Sequence, residues 1–368
     1  MKKRLVVCCD GTWNTPDQQS GGKWCATNVT KVALAVAPED DSGGEQRTFY
    51  HLGVGTSRGQ RIGGGAFGFG LSRDVRDTYR FLVRNFEPGD ELFFFGFSRG
   101  AFTARSTAGF VRNCGILRRS EAHRIDEAYD LYRSRASTAH PRSTEATLFR
   151  RTYSHETRIN FIGVWDTVGA LGIPLSGLRL VNLLNRRWQF HDTNLSTTVD
   201  AAFQALAIDE QRGPFRPAIW KPQPDAPAEQ NLEQVWFAGV HCDVGGGYLD
   251  HQLSDIALLW MVDRAKSCGL SFDPKAFTRL PSDQSEDDGT VLSRTAVTLD
   301  PYLKPHDSRK RVYRLIPPYI RPIGETDPSH EYVASSAEMS YDDTAPDKRP
   351  GLAAYLNGPH QTMEVHCE

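Results

Sequence analysis

The sequence lacks an excess of charge of either sign. Its 43 Lys and Arg residues stand against 45 Asp and Glu residues, which gives a formal net charge of −2. A broad surface for nucleic acid or another polyanion needs a clear basic excess, so this class of partner is excluded. We expect a small molecule or a neutral surface as the partner and no nucleic acid.

Long hydrophobic runs and paired cysteine motifs are also missing. The start of the chain has five apolar residues before Asp10, too few for a signal-peptide core. No later run approaches the ~18 residues of a membrane span. The seven cysteines are scattered, with no C-x-x-C pair and no zinc spacing. We therefore expect that the thiols are reduced and that the protein is cytoplasmic in the cell that makes it.

The glycine-rich stretch 57–70 does not have the sequence of a nucleotide loop. It holds six glycines, but it lacks the Lys-Ser/Thr pair of a P-loop and the G-x-G-x-x-G pattern between a strand and a helix. A loop beside an active site is the better interpretation. We expect no cofactor.

The strongest functional signal is ELFFFGFSRGAFTAR, residues 91–105. A short apolar run leads into Gly-Phe-Ser-Arg-Gly, and residues of helix-forming composition follow. This order predicts a strand, a sharp turn that exposes Ser98 as a nucleophile, and a helix. A side chain at Gly96 or Gly100 would collide with a neighbouring strand or helix. The first helical turn offers free N–H groups, so the Arg99 amide is a candidate oxyanion donor. The alternative is a purely structural turn.

Apolar runs and helical periodicity alternate along the chain. The predicted strands are 3–10, 48–52, 92–95, 160–165, 234–240 and 311–316, and the predicted helices are 28–37, 72–86, 101–113, 120–135, 198–210 and 254–268. We expect N-caps at Thr27 or Asn28, Ser72 and Ser254. The alternation predicts an α/β fold with a doubly wound, mostly parallel sheet. Residues 1–272 would form the catalytic domain, and residues 273–368 an irregular C-terminal extension packed on it.

Polar residues follow four of these strands directly. Ligands of such sheets bind beyond the carboxyl ends of the strands, where Asp10, Ser98, Asp166 and His241 are all expected. A serine becomes nucleophilic when a base takes its proton and an acid orients that base, and the chain order Ser, acid, His is the one expected on this scaffold. We predict the triad Ser98, Asp166 and His241. Gly11 or Thr12, just past the first strand, is the candidate for the second oxyanion donor.

Two alternatives stay open for the triad. Asp243 could be the acid, and His330 could be the base, since the histidine follows the last strand in many enzymes of this fold. Asp10 and Asp243 could also attract Ca²⁺ or Mg²⁺, which prefer oxygen ligands. Two acids are fewer than the six or more oxygens that Ca²⁺ requires, so we expect no metal and hydrogen-bonding roles for both.

The segment about 170–195 is too apolar for a plain surface connection. From residue 178 on it could form a short amphipathic helix. We expect a lid over Ser98 whose side chains Leu180, Leu183 and Leu184 form an acyl pocket, with Trp188 in transient contact with a membrane surface. The alternative is an ordinary helix buried on the sheet.

Six ordered motifs carry a family resemblance: CCDGTWN, GVGT, GFSRGAFTAR, FIGVWDTVGALGIP, ALAIDEQR and WFAGVHCDVGGGY. Over roughly residues 3–265 the chain resembles an α/β-hydrolase-like family whose best-known members are phospholipase effectors of bacterial type VI secretion. The resemblance implies a serine lipase or phospholipase with Ser98 as nucleophile, Asp166 as acid and His241 as base. The sequence departs from the family pattern at His51, where an acidic residue is usual.

The expected activity is therefore hydrolysis of carboxylic esters, with lipid or phospholipid acyl esters as the substrate class. Two alternatives remain: an esterase for a small non-lipid ester, and a non-catalytic binding module on a hydrolase scaffold. The family also makes export by a contact-dependent secretion system compatible with the sequence.

Overall fold

The computed structural model of the chain describes residues 2–11, 14–53, 66–168, 194–280 and 290–366, with the backbone alone at 66–69 and 311–312. Eight described strands form one sheet: β1 Arg4–Cys9, β2 Gln46–His51, β3 Glu91–Phe97, β4 Ile159–Trp165, β5 Val199–Ala207, β6 Asn231–Phe237, β7 Glu331–Ala334 and β8 Thr362–Met363. Their order is β2-β1-β3-β4-β5-β6-β7-β8, and every neighbouring pair is parallel. The chain direction across the sheet reverses between β1 and β3, the place where open α/β sheets bind ligands.

Helices cover both faces of this sheet. The described α-helices are α1 Asn28–Ala35, α2 Ala66–Asn85, α3 Arg99–Cys114, α4 Ile125–Arg133, α5 Thr144–Tyr153, α6 His241–Gly245, α7 Gln252–Ser267, α8 Val291–Thr295, α9 Ser335–Met339 and α10 Pro350–Leu356. Leu5 and Val7 of β1 pack in the core with α2 and α3, whereas Val6 and Cys8 pack in the core with α1 and α7. Strands buried on both faces explain the continuous apolar runs of the sequence. The predicted doubly wound α/β fold is confirmed.

The largest error of the sequence-based prediction concerns β5. Residues 198–210 were expected as a helix that buries Ala202, Phe203 and Leu206, and its Ala and Leu residues are good helix formers. Instead, β5 lies between β4 and β6 and hydrogen-bonds to both. Eight of its nine residues are buried. A central parallel strand tolerates such a run on both of its faces, so tertiary context overrides helix propensity here.

One of the three predicted helix N-caps is confirmed and two are wrong. Thr27 caps α1 as expected, since its hydroxyl accepts a hydrogen bond from the Thr30 N–H. Ser72 is not a cap, because α2 already begins at Ala66. Ser254 is not a cap either, because α7 begins earlier and the Ser254 hydroxyl donates to the His251 carbonyl.

Three further segments differ from the prediction. The stretch between the predicted helix 120–135 and the predicted strand 160–165 contains α5, for which no element was predicted. Residues 311–316 were expected to be a strand but contain a 3₁₀-helix, Arg311–Leu315. The C-terminal stretch adds β7 and β8 to one edge of the main sheet. None of the helices in the described ranges is long and apolar enough to cross a membrane.

Candidate active site

Ser98 lies in the sharp turn between β3 and α3. Its backbone has φ 57° and ψ −117°, a strained conformation for a residue other than glycine. A Cβ at Gly96 would lie 2.6 Å from the Ala101 Cα, and a Cβ at Gly100 would lie 2.0 Å from the Cys9 carbonyl oxygen. The predicted steric need for both glycines is confirmed.

His241 is the first residue of α6, just beyond β6. Its Nε2 lies 2.8 Å from Ser98 Oγ. The imidazole is buried between two phenylalanine rings, with centroid distances of 4.6 Å to Phe97 and 5.0 Å to Phe215. A Cβ at Gly245 would lie 2.0 Å from Phe97 Cε2, so a glycine is needed for α6 to approach the ring this closely. Packing therefore fixes the plane of the imidazole.

Asp166 follows β4 and completes a chain of three residues joined by two contacts. Its Oδ2 lies 2.5 Å from His241 Nδ1, and its Oδ1 accepts a hydrogen bond from the Ala207 N–H at 3.2 Å. The carboxylate is fully buried, and the backbone has φ 38°. The three residues predicted from chain order thus meet side chain to side chain.

Arg321 is a site residue that the sequence did not predict. Its Nη1 donates to Asp166 Oδ1 at 2.5 Å and its Nη2 to Asp166 Oδ2 at 3.0 Å. The same guanidinium donates to the carbonyls of Ala207 at 2.8 Å and Phe215 at 2.6 Å. Burial by itself would raise the pKa of Asp166, but the charges of Arg321 and His241 outweigh it and hold that pKa well below its usual range.

Two further carboxylates hold the backbone around His241. Glu210 accepts hydrogen bonds from the His241 N–H at 3.4 Å and from the Ser308 hydroxyl at 3.0 Å. Asp243 accepts from the Val240 N–H at 3.0 Å and contacts His306 Nδ1 at 2.6 Å. The segment that contains His306 and Ser308 therefore holds the start of α6, which carries the imidazole.

Gly11, one of the two candidates for the second oxyanion donor, already donates its amide hydrogen to a neighbouring carboxylate. The Gly11 N–H donates to Asp10 Oδ1 at 2.6 Å, so the prediction that it faces the oxyanion is not supported. Thr12 lies outside the described residues. Arg99, the first residue of α3, stays the predicted donor within the described part of the chain.

Asp10 is a buried hydrogen-bond acceptor beside the nucleophile. Its Oδ2 accepts from the hydroxyls of Thr27 at 2.6 Å, Thr30 at 3.0 Å and Tyr50 at 2.5 Å. Burial raises the pKa of Asp10, and these hydrogen bonds offset part of that rise. The carboxylate links β1 to α1 and β2 at the same edge of the sheet as Ser98.

Comparison with known proteins places the chain in a family. The family model described as "T6SS, Phospholipase effector Tle1-like, catalytic domain" matches residues 3–264. The chain belongs to this Tle1-like family. It is also 30% identical over 247 residues to the uncharacterized protein YEL023C of Saccharomyces cerevisiae, which covers 61% of this chain and 34% of the yeast protein. The chain thus spans about a third of that relative.

Two solved structures are similar to the Tle1-like chain. An uncharacterized protein from Pseudomonas aeruginosa has a TM-score of 0.45 at 18% identity, covering 80% of this chain and 49% of that one. The Tle1 effector bound to the VgrG spike of the type 6 secretion system has a TM-score of 0.37 at 20% identity, covering 67% of this chain and 51% of that one. Arg321 lies beyond the residues that the family model matches.

The alternative acid and base of this Tle1-like chain have other partners. His330 lies just before β7, at the amino edge of the sheet, and its Nδ1 contacts Asp327 Oδ2 at 2.8 Å. Asp243 pairs with His306 rather than with His241. The alternative pair is therefore wrong, because parallel strands put His330 and Ser98 at opposite edges of the sheet.

Two further expectations for the site concern a metal ion and a lid. Within the described ranges, no group of three or more His, Cys, Asp and Glu side chains could hold a metal ion. The predicted lid residues Leu180, Leu183, Leu184 and Trp188 lie outside the described residues, so the lid stays a prediction.

Proposed function

We propose that this Tle1-like domain is a serine hydrolase that cleaves carboxylic esters, with lipid or phospholipid acyl esters as its substrate class. The observation that carries the proposal is the continuous contact from Ser98 Oγ to His241 Nε2 at 2.8 Å and from His241 Nδ1 to Asp166 Oδ2 at 2.5 Å. The family name supports the lipid substrate, since it describes phospholipase effectors.

The proton path follows from the partners of the imidazole. With Nδ1–H donated to Asp166, Nε2 has a lone pair that accepts the Ser98 proton as Oγ attacks the ester carbonyl. His241 then gives this proton to the leaving alcohol, and an acyl-enzyme forms on Ser98. In the second half, His241 takes a proton from water, which attacks the acyl carbon and releases the acid and the free serine.

Arg321 and the start of α3 have supporting roles in this scheme. Arg321 keeps Asp166 ionised and holds both of its carboxylate oxygens, so the acid can stabilise the imidazolium that forms. The oxyanion would be held by the Arg99 amide and by that of Thr12. An acyl pocket formed by Leu180, Leu183 and Leu184, with Trp188 at a lipid surface, remains part of this proposal.

The first test is Ser98→Ala. We expect turnover of a p-nitrophenyl ester to fall by at least about 10³-fold, because the variant retains binding but loses the nucleophile. Labelling by a fluorophosphonate probe should disappear. The exposed Ser120, in the 3₁₀-helix Arg119–Arg124, gives the control variant Ser120→Ala, which should behave as wild type.

Substrate class is tested separately with acetate and long-chain esters, phospholipids and acetylated sugars. A preference for long acyl chains supports the lipid substrate, while a preference for acetate supports the small-ester alternative. Turnover that is unchanged in Ser98→Ala would overturn the proposal. A wild-type protein that neither labels nor turns over any ester would point to a binding module instead.

A further inference from the structure

The segment 304–321, which we call the rim segment, differs in charge from the rest of the chain. It contains six Lys or Arg residues and one Asp or Glu residue, although the whole chain has a net charge of −2. Lys304, Lys310 and Arg314 are exposed, whereas Arg321 is fully buried against Asp166 and adds nothing to the surface charge. The exposed Asp307 lies 3.4 Å from Arg314. The outer face of the rim segment is therefore basic.

Aromatic contacts fix this segment beside the imidazole. The Tyr313 ring lies 6.4 Å from the Phe215 ring, and the Arg212 guanidinium lies over both rings at 3.6 Å from Phe215 and 5.5 Å from Tyr313. Phe215 in turn packs edge-on against His241. The rim segment thus stands next to the His241 side of the active site.

Backbone and charge contacts fix its second half. The Tyr319 N–H donates to the Gln211 carbonyl at 2.9 Å. Two residues further on, Arg321 holds Asp166. The residues between Tyr313 and Tyr319 are therefore held at one end by the ring contacts of Tyr313 and at the other by the hydrogen bond of Tyr319.

The second half of the rim segment also presents apolar side chains. Leu315 is 86% exposed, the most exposed large apolar side chain among the described residues, and Ile320 is 42% exposed. Two exposed prolines, Pro317 and Pro318, stand between them and restrict the backbone. Exposed Arg216 lies over the Tyr319 ring at 4.3 Å and adds a further positive charge to the same face.

A single exposed leucine is ordinary on a protein surface. Leu315 and Ile320 are different because they flank two exposed prolines, stand among basic side chains and adjoin the active site. Apolar tips with a basic surround are the combination that binds the headgroup region of an anionic membrane, since the tips enter the acyl boundary and the cations meet the phosphates.

We propose that the rim segment docks this protein on an anionic lipid surface. Leu315 and Ile320 insert, and Lys310, Arg314 and Arg216 contact the headgroups. This inference rests on the proposed function, and it deepens it by placing the His241 side of the site at the membrane. A lipid ester could then reach Ser98 without crossing bulk water.

The test uses the full chain with Ser98→Ala, so that no lipid is consumed, and cosedimentation with vesicles. Vesicles of phosphatidylcholine mixed with phosphatidylglycerol should bind the protein, and pure phosphatidylcholine should bind it much less. Leu315→Ser combined with Ile320→Ser should weaken binding about tenfold or more. Lys310→Glu combined with Arg314→Glu should weaken it at least about fivefold per residue, with the largest loss at low salt.

Matched controls come from α5 and from the 3₁₀-helix Arg119–Arg124. Leu148, 58% exposed on α5, gives Leu148→Ser, and exposed Arg119 and Arg151 give a double change to Glu with the same change of net charge. These controls should bind vesicles as the parent does. Melting temperatures within a few degrees of the parent confirm that each variant is folded.

Several outcomes overturn the docking. The Leu315 and Ile320 variant could bind vesicles as well as the parent does, or the control variants could lose as much binding as the rim-segment variants. The protein could also fail to bind vesicles and instead self-associate through these residues in sedimentation. Fluorophosphonate labelling of the protein with Ser98 intact separates the two proposals. A labelled protein that ignores vesicles overturns the docking alone, and a vesicle-bound protein that resists labelling overturns the proposed function alone.

Discussion

The two halves of the candidate site are built differently. Ser98 is positioned by its sequence neighbours, because Gly96 and Gly100 permit the turn between β3 and α3. Asp166 is positioned by distant residues, since the Ala207 amide and the Arg321 guanidinium hold its carboxylate. The nucleophile can therefore be recognised in a short motif, whereas the environment of the acid depends on the whole fold.

Among the changes that test this comparison, Arg321→Met should lower the free energy of unfolding most, because it removes the distant residue that holds Asp166. Both side chains of the Arg321–Asp166 pair are fully buried, and removal of one member leaves an uncompensated buried charge. We expect a loss of about 3–5 kcal/mol in the free energy of unfolding, measured by urea denaturation at pH 7. Ester turnover should fall on the order of 10²-fold, because the acid loses its fixed geometry.

Acid pH provides a check on that explanation. The pKa of Asp166 is lowered in the folded protein, so its contribution to stability is present above the unfolded pKa, about 3.9, and is lost as the pH falls towards the folded pKa. The stability gap between wild type and Arg321→Met should therefore narrow below about pH 4. Arg321→Lys keeps the charge without the two parallel hydrogen bonds and should recover only part of the turnover. A gap that does not change with pH would show that Arg321 acts through packing alone.

Gly100→Ala, which disturbs the turn that carries Ser98, should have an intermediate effect on the free energy of unfolding. The new Cβ would meet the Cys9 carbonyl oxygen at 2.0 Å, so α3 must move away from β1. We expect a loss of about 2–3 kcal/mol and much weaker fluorophosphonate labelling. In the same helix, a Cβ at Gly109 would meet Tyr132 at 3.4 Å, an ordinary contact. Gly109→Ala should therefore label normally and be equally or slightly more stable. Similar behaviour of both variants would argue against the steric explanation.

The same division explains what could be predicted from the sequence. The turn at Ser98 and the strand ends at Asp166 and His241 follow from local patterns, and chain order was sufficient to group the three residues. Arg321 has no local signal, because an arginine between Ile320 and Pro322 resembles any surface residue. Its partner lies 155 residues away.

Fold errors have a related origin. The residues of β5 have high helix propensity, and only the hydrogen bonds to β4 and β6 make the extended state favourable. Gly11 or Thr12 was the candidate for the second oxyanion donor because a glycine follows β1. The neighbouring Asp10 carboxylate takes the Gly11 amide instead, a choice that depends on the turn geometry rather than on residue type.

The smallest effect on the free energy of unfolding is expected at Asp74, a buried acid on α2. Its counterpart Asp166 has a bidentate arginine, while Asp74 has His51 Nε2 at 3.7 Å and an electrostatic interaction with Arg99. Burial and the nearby Asp77 raise the pKa of Asp74 to about 7, and Arg99 offsets part of the rise. Burial without a bidentate partner thus favours the neutral acid.

A raised carboxyl pKa reverses the direction of the pH effect. Stability linked to Asp74 is fully present below the unfolded pKa, about 3.9, and is lost as the pH rises through the folded pKa of about 7. Asp74→Asn mimics the neutral form, so it should be more stable than wild type at pH 8 by on the order of 1–2 kcal/mol, with the gap closing near pH 4. Urea denaturation at both pH values measures this, and Asp130→Asn on the exposed face of α4 should show no such gap. A stabilisation that is the same at pH 4 and pH 8 would mean that the amide improves packing and that Asp74 is not held as the neutral acid.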